Sequence, residues 1–174
     1  MDHGSDAMGE RILGTSEGPI AISDRDTLAA VSLDLARQAR RTLDIVSRHL
    51  DSSIYDHDAF IDAVKALALR HRHARVRLLV IDLRPLVTQS HRLLDLADRL
   101  PSTIAMRTAA LQHKNFNEAF LIADNLGYVH RQFSDRYDGV ADFAGRRMAS
   151  ALADRLAEMW ERGEPDPNFR RLQL

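Results

Sequence analysis

Asn117 to Arg131, NEAFLIADNLGYVHR, reads as an apolar strand, a tight polar turn at Asp124-Asn125 and a second strand. The hairpin predicts a fold centre late in the chain, so the segments before it decide what kind of sheet it joins. Working back from it, Thr103 to Thr108 alternates and predicts a strand. Val76-Arg77-Leu78-Leu79-Val80-Ile81-Asp82 is nearly continuous in apolar residues, as expected of a central strand covered on both faces. Thr42 to Ser47 is rich in β-branched residues with partial alternation, another strand, and Gly18 to Ser23 fits a short edge strand with Pro19 at its start.

Helical patterns lie between these strands. Asp26 or Thr27 is expected to cap a helix whose stripe is Leu28, Val31, Leu35 and Ala39. Asp56 to His71 places Phe60, Val64, Leu67 and Ala68 on one face. Thr88 or Ser90 is expected to cap a third helix, with Leu93, Leu96, Ala97 and Leu100 inward and Pro101 at its end. After the hairpin, Gln132 to Asp142 reads as an irregular polar connection. Phe143 to Arg162 reads as a long helix with the stripe Met148, Leu152, Leu156 and Met159, and Gly163 as its cap. Strands alternating with helices predict an α/β fold: a single mixed β-sheet flanked by helices. Residues 1–18, rich in Gly, Ser and Asp, are expected to form a mobile leader, and 19–174 one domain. Phe169, Leu172 and Leu174 are expected to pin the tail to the body.

Composition narrows the functions. The formal net charge is -1, so no global field recruits nucleic acid or an anionic membrane. There are no cysteines, which removes disulfides, thiolate nucleophiles and Cys-based metal sites. The start of the chain lacks the pattern of a signal peptide, and no apolar run approaches the ~20 residues that span a bilayer; a cytoplasmic protein is expected. His71-Arg72-His73 has ligand-like spacing, but it closes a helix whose end favours basic groups. No metal or cofactor is expected. The Gly-x-Ser-x-Gly elbow, Gly-x-Gly-x-x-Gly and the Gly-Lys-Ser/Thr phosphate loop are all missing.

The element order over roughly residues 27 to 163, anchored on the hairpin, resembles one half of a phospholipase D-type fold. HLDSSIYD after the second strand, HRLLDLADRLPS before the fourth and the closing WERGEPDPNFRRLQL also resemble a bacterial family whose members are sometimes attached to acetyltransferase domains. The phospholipase D resemblance implies a His-x-Lys-x4-Asp motif on such a strand, with a histidine nucleophile and a lysine that holds phosphoryl oxygens. With the spacing fixed on Asp124, Asn117 stands in the histidine position and Ala119 in the lysine position. No His-x-Lys occurs anywhere: Gln112 precedes Lys114 by two residues and Ala63 precedes Lys65 by two, and these are the only lysines. Arg131-Gln132 stand where the family has Gly-Ser. The resemblance thus implies the fold without its usual chemistry, and no catalytic residue is assigned.

What remains is a set of polar residues at strand ends, where open α/β sheets bind ligands. His49, His91, Arg107 and Arg131, balanced by Asp82 and Asp124 and joined by Asn117, are the expected pocket for an anionic or phosphate-bearing ligand. Against this stands a purely structural pairing of Asp82 and Asp124 with Arg84, Arg107 or Arg131. Three functions follow. The first is a non-catalytic module that binds a partner protein or an anionic small molecule, with a homodimer implied by the resemblance. The second is a phosphoryl-transfer hydrolase with a rebuilt site using His49 or His91. The third is a nucleic-acid contact module, disfavoured by the balanced charge.

Overall fold

A computed structural model describes residues 9–165. Among these, seven strands form one mixed sheet in the order β1-β7-β6-β5-β2-β3-β4. The central strand is β2 (Thr42–Ser47), parallel to β3 (Arg75–Val80) on one side and antiparallel to β5 (Ala119–Ala123) on the other. β4 (Ile104–Thr108) runs parallel to β3 and closes that side of the sheet. β5 turns into β6 (Gly127–Arg131) through Asp124 and Asn125, with φ values of 54° and 57°. The three-residue loop is closed by the Leu126 amide donating to the Ala123 carbonyl at 2.9 Å, and its two left-handed residues match the right-handed twist of the strands they join. The outer strands β7 (Gly139–Asp142) and β1 (Ile20–Ile22) complete the antiparallel half.

Helices cover both faces. α1 (Arg25–Gln38), α3 (Asp58–Arg70) and α5 (Arg92–Arg99) cover one, with short α2 (Ser52–Tyr55) and α4 (Arg84–Thr88) at the strand ends. Their stripes meet alternate residues of the central strands: Leu28, Leu35, Phe60, Val64 and Leu93 pack in one cluster with Leu43, Ile45, Leu78 and Leu121. The opposite residues, Val46, Leu79, Phe120 and Ile122, pack beneath α6 (Arg146–Arg162) through Leu152, Leu156 and Trp160. Burial on both faces is why β2, β3 and β5 are near-continuous apolar runs.

The α/β class and the single mixed sheet agree with the sequence reading; several details do not. The connection Gln132 to Asp142, expected to be irregular, contains β7, which holds β1 in the sheet. α1 is capped by Asp24, whose Oδ1 accepts from the Thr27 amide at 2.7 Å, not by Asp26 or Thr27. The expected third helix is α5, preceded by the short α4, and neither Thr88 nor Ser90 caps it; His91 does. Met148 is exposed on α6, and Ala149 and Trp160 take their place in the buried stripe. Residues 11–18, read as a leader, bond to the body: Gln38 receives the Leu13 amide and donates to the Arg11 carbonyl, both at 2.7 Å, and the Gly14 amide donates to the Phe143 carbonyl. Phe169, Leu172 and Leu174 lie outside the described residues.

Candidate functional site

The parallel strands β2, β3 and β4 end on one side of the sheet, beside the start of β5 and the end of β6. This crevice brings together four of the expected site residues in two linked groups. In the first, the Asn117 carbonyl accepts from the Ser134 amide and its Oδ1 from the Ser134 hydroxyl, both at 2.7 Å. Ser134 in turn accepts from Arg131 Nη2 at 2.7 Å. Arg131 is only 2% exposed, and its other donors reach the Arg136 carbonyl at 2.8 Å and Asp51 Oδ2 at 2.7 Å. A guanidinium buried among apolar residues is tolerable only when its charge is matched and its donors satisfied. Here Asp51 supplies the charge and two carbonyls supply the rest. Tyr55, fully buried beside this pair, has its phenol pushed well above the ordinary value by burial.

In the second group, His49 Nδ1 lies 3.1 Å from the Asp82 carbonyl oxygen. The Asp82 carboxylate accepts from the Arg84 amide, Nε and Nη2 at 3.1, 2.9 and 2.8 Å. Those Arg84 hydrogen bonds bring its pKa down to about 2. Asp82 is therefore paired with Arg84, as the structural reading held.

His91 borders the crevice but serves the fold. Its Nδ1 accepts from the Leu93 amide at 3.1 Å as the cap of α5, and its Nε2 lies 3.0 Å from the Leu50 carbonyl oxygen. An accepting Nδ1 and a donating Nε2 specify the neutral imidazole. Burial lowers its pKa in agreement. Leu50, whose carbonyl meets His91, has a backbone φ of 54°, a conformation that costs a non-glycine residue about 1–3 kcal/mol.

The two remaining members of the expected pocket are elsewhere. Asp124 is at the far end of the sheet, where its carboxylate accepts the amides of Arg40, Arg41 and Thr42 at 2.8, 2.7 and 2.9 Å. It organises the turn from α1 into β2. Arg107 lies on the α6 face, donating to the Trp160 carbonyl at 2.7 Å with its guanidinium 4.7 Å from the Trp160 ring. Strand geometry explains both: Arg107 is the register partner of Leu79, which faces α6, and the whole length of β5 lies between Asn117 and Asp124.

Two groupings escaped the sequence reading. On the α6 face, Glu118 accepts from both guanidinium ends of Arg155 and pairs with His130 Nε2 at 2.7 Å; the Arg155 hydrogen bonds bring its pKa down to about 2. Farther along that face, Arg75, Arg77, Arg107 and Trp160 line a cavity of about 770 Å³ beside β4. Arg77 grips the buried carboxylate of Asp44 at 2.8 Å, whereas the half-exposed Arg75 comes only within 4.0 Å of it. The period-2 placement of Arg75, Arg77 and Arg107 on predicted strands was readable as one basic face. The cavity, built from β3, α5, β4 and α6, was not. Among the described residues, no group of three His, Asp or Glu side chains converges to hold a metal, and no helix is long and apolar enough to cross a membrane.

A family model described as a domain of unknown function, DUF7931, matches residues 24–172. No curated protein matches the sequence. Among solved structures, NucT from Helicobacter pylori aligns with a TM-score of 0.63 at 13% identity, over 86% of this chain and 98% of its own. Nuc from Salmonella typhimurium, a phospholipase D family member, aligns with a TM-score of 0.59 at 13% identity, over 84% of this chain and 97% of its own. TrmBL2, an archaeal chromatin protein described with a novel mode of DNA binding, aligns with a TM-score of 0.59 at 14% identity; this chain covers 86% of itself but 53% of that protein. At such identities the likeness shows the fold, which is phospholipase D-like.

Proposed function

The chain belongs to the DUF7931 family, and we propose that it is a non-catalytic phospholipase D-like module that binds a partner protein or an anionic ligand. One observation carries the reading. Where the phospholipase D motif has its histidine and lysine, this chain has Asn117, whose amide oxygen is taken up by Ser134, and Ala119, fully buried. Neither can attack phosphorus, and neither carries the positive charge with which the motif's lysine holds a phosphoryl oxygen. Arg131, the strongest oxyanion-binding group nearby, is buried and has each of its three nitrogens already donating, to Asp51, Ser134 and Arg136. His91 works as a helix cap. A reaction centre needs groups that change partners during turnover, and this crevice is closed on itself.

The test is hydrolysis of bis(p-nitrophenyl) phosphate and of a phosphomonoester panel by wild type, His49→Ala and His91→Ala. The expected result is no turnover above buffer. Hydrolysis abolished by His49→Ala would reject the reading and favour the rebuilt phosphoryl-transfer site. The pairing of single-copy phospholipase D-like proteins extends the proposal to a homodimer in the cytoplasm. Light scattering across a concentration series tests the dimer; a constant mass of 19.6 kDa would refute it.

A further inference from the structure

The net charge of -1 averages over two unlike ends of the sheet. At the far end, where Asp124 sits, two connections lie side by side, because β2 and β3 are parallel neighbours with Thr42 opposite Arg75. The first, from α1 into β2, carries Arg37, Arg40 and Arg41; the second, from α3 into β3, carries Arg70, Arg72 and Arg75. Hydrogen bonds stitch the two together. The Arg75 amide donates to the Arg41 carbonyl at 2.9 Å, and His71 Nε2 lies 3.1 Å from the Arg40 carbonyl oxygen. All six arginines are exposed on this stiff base.

Cations at helix C-termini offset the macrodipole, and that accounts for Arg37 and Arg70 in the last turns of α1 and α3. It does not account for Arg40, Arg41 and Arg72, which lie beyond the helices, where the dipole's influence has faded. Nor do carboxylates account for them. Among the described residues, Arg37, Arg40, Arg41, Arg70 and Arg72 have none within 4.0 Å, and Arg75 only just reaches Asp44 at that distance. Asp124 gives its oxygens to three backbone amides, Asp34 accepts from Gln38, and Asp98 is offset by Arg99 beside it. Counting Asp34 and Asp124, and also Asp2 and Asp6 outside the described residues, still leaves more cations than carboxylates.

We propose that this end of the sheet docks on the phosphodiester backbone of duplex nucleic acid, through Arg40, Arg41, Arg70 and Arg72 and without reading base sequence. The planar fork of arginine matches phosphate oxygens in pairs, and backbone contact of this kind needs no base recognition. The two connections, RQARRT and RHRHAR, contain no Phe, Tyr or Trp. They therefore lack the rings on which single-stranded bases stack and the aromatic anchors of a membrane interface. The inference rests on the reading of a module that binds an anionic ligand and names the class of that ligand, at the opposite end from the crevice.

The experiment is fluorescence anisotropy of the full chain with a labelled DNA duplex of mixed sequence, over a series of salt concentrations. Saturable binding is expected at low salt, falling about a hundredfold between ~50 and ~200 mM for four phosphate contacts. The charge reversal Arg40→Glu/Arg72→Glu should weaken binding about tenfold or more and flatten the salt dependence, with the melting temperature little changed because both side chains are exposed. Arg25→Glu/Lys114→Glu makes the same change in net charge at the crevice end and should bind as wild type does. No binding at low salt, or equal weakening by the two double variants, would overturn the proposal. Tighter binding to vesicles containing phosphatidylserine, or to polyglutamate, would assign the basic end to a membrane or an acidic protein and overturn it too. Catalysis in the crevice is read by the hydrolysis assay, so the two readings fail separately.

Discussion

Two arginine-centred regions of the same sheet differ in how completely they are satisfied. At the crevice, Arg131 is buried and gives its donors to Asp51, Ser134 and Arg136. Beside β4, Arg75 is half exposed and comes only within 4.0 Å of the Asp44 carboxylate. The crevice occupies the position where a phospholipase D-like fold would carry its chemistry, yet its polar groups hold one another. The loosely paired cation lies across the sheet, beside the cavity at β4. The contrast teaches that the place to look for function in this chain is where donors are unmatched, not where the fold's relatives would have reacting groups.

The sharpest way to break this comparison is to treat the two arginines alike. Arg131→Met leaves the Asp51 carboxylate and two carbonyls without their partner in a buried site, and is expected to cost about 3–5 kcal/mol. Arg75→Gln, half in solvent with a loose partner, is expected to change stability by no more than about 0.5 kcal/mol. Denaturant unfolding of both variants decides it. Equal effects would mean that the crevice is not the closed network described here.

Asp124 tests the hairpin turn in the same terms. Asp124→Ala strands the amides of Arg40, Arg41 and Thr42 and puts alanine at a positive φ, for an expected loss of about 1–3 kcal/mol. Asp124→Asn keeps an accepting oxygen and tolerates the left-handed backbone, so its loss should be smaller. An unchanged melting temperature in Asp124→Ala would remove the structural role assigned to that carboxylate.

His91 sharpens the comparison through pH. Its folded pKa is lowered by burial, so the unfolded chain binds the proton more readily. The stability this neutral histidine supports is complete above its unfolded value of about 6.5 and is lost as pH falls toward the folded value. Protonation would place a hydrogen on the Nδ1 that accepts from Leu93, breaking the cap from within. His91→Asn retains a capping oxygen without the titration, and is expected to flatten the fall in unfolding free energy below neutrality. If both proteins lose stability in parallel, His91 is not the group responsible.

Much of this arrangement was legible in the sequence because apolar periodicity encodes burial directly. Thr42 to Ser47 is β2 residue for residue, and the hairpin turns at Asp124 and Asn125, because burial on both faces and left-handed turn residues each leave a local mark. β7 left none: Gly139–Asp142 is four residues long with Val140 exposed, and its pairing is set by distant β1 and β6. The cap at His91 was unreadable for a similar reason, since a histidine becomes a cap only when burial and the Leu50 carbonyl fix its neutral tautomer. Asp124 and Arg131 were both recognised as polar residues that matter, but sequence could not tell a carboxylate bonded to three amides from one facing a ligand. The cavity at Arg75, Arg77, Arg107 and Trp160 required separate elements to meet, information that no single stretch contains.

The smallest expected effect belongs to Glu118, a closed pair that sits between the two regions on the α6 face. Arg155 holds its carboxylate at a pKa of about 2, with His130 adding a second partner. A depressed carboxylate contributes stability that is present above its unfolded pKa of about 4.3 and lost as pH falls through about 2. Glu118→Gln should therefore reduce the acid sensitivity of the melting temperature in that window and leave the behaviour above it little changed, apart from a modest loss from the weakened Arg155 contact. Asp82, held down to about 2 by Arg84, titrates over the same range and keeps part of the slope in the variant. Partial exposure on both sides of the Glu118–Arg155 pair keeps the effect small through solvent screening. The comparison of melting temperature against pH for wild type, Glu118→Gln and Asp82→Asn separates the two carboxylates. A slope untouched by Glu118→Gln would show that this pair, unlike Arg131 and Asp51, is held too loosely to matter for folding.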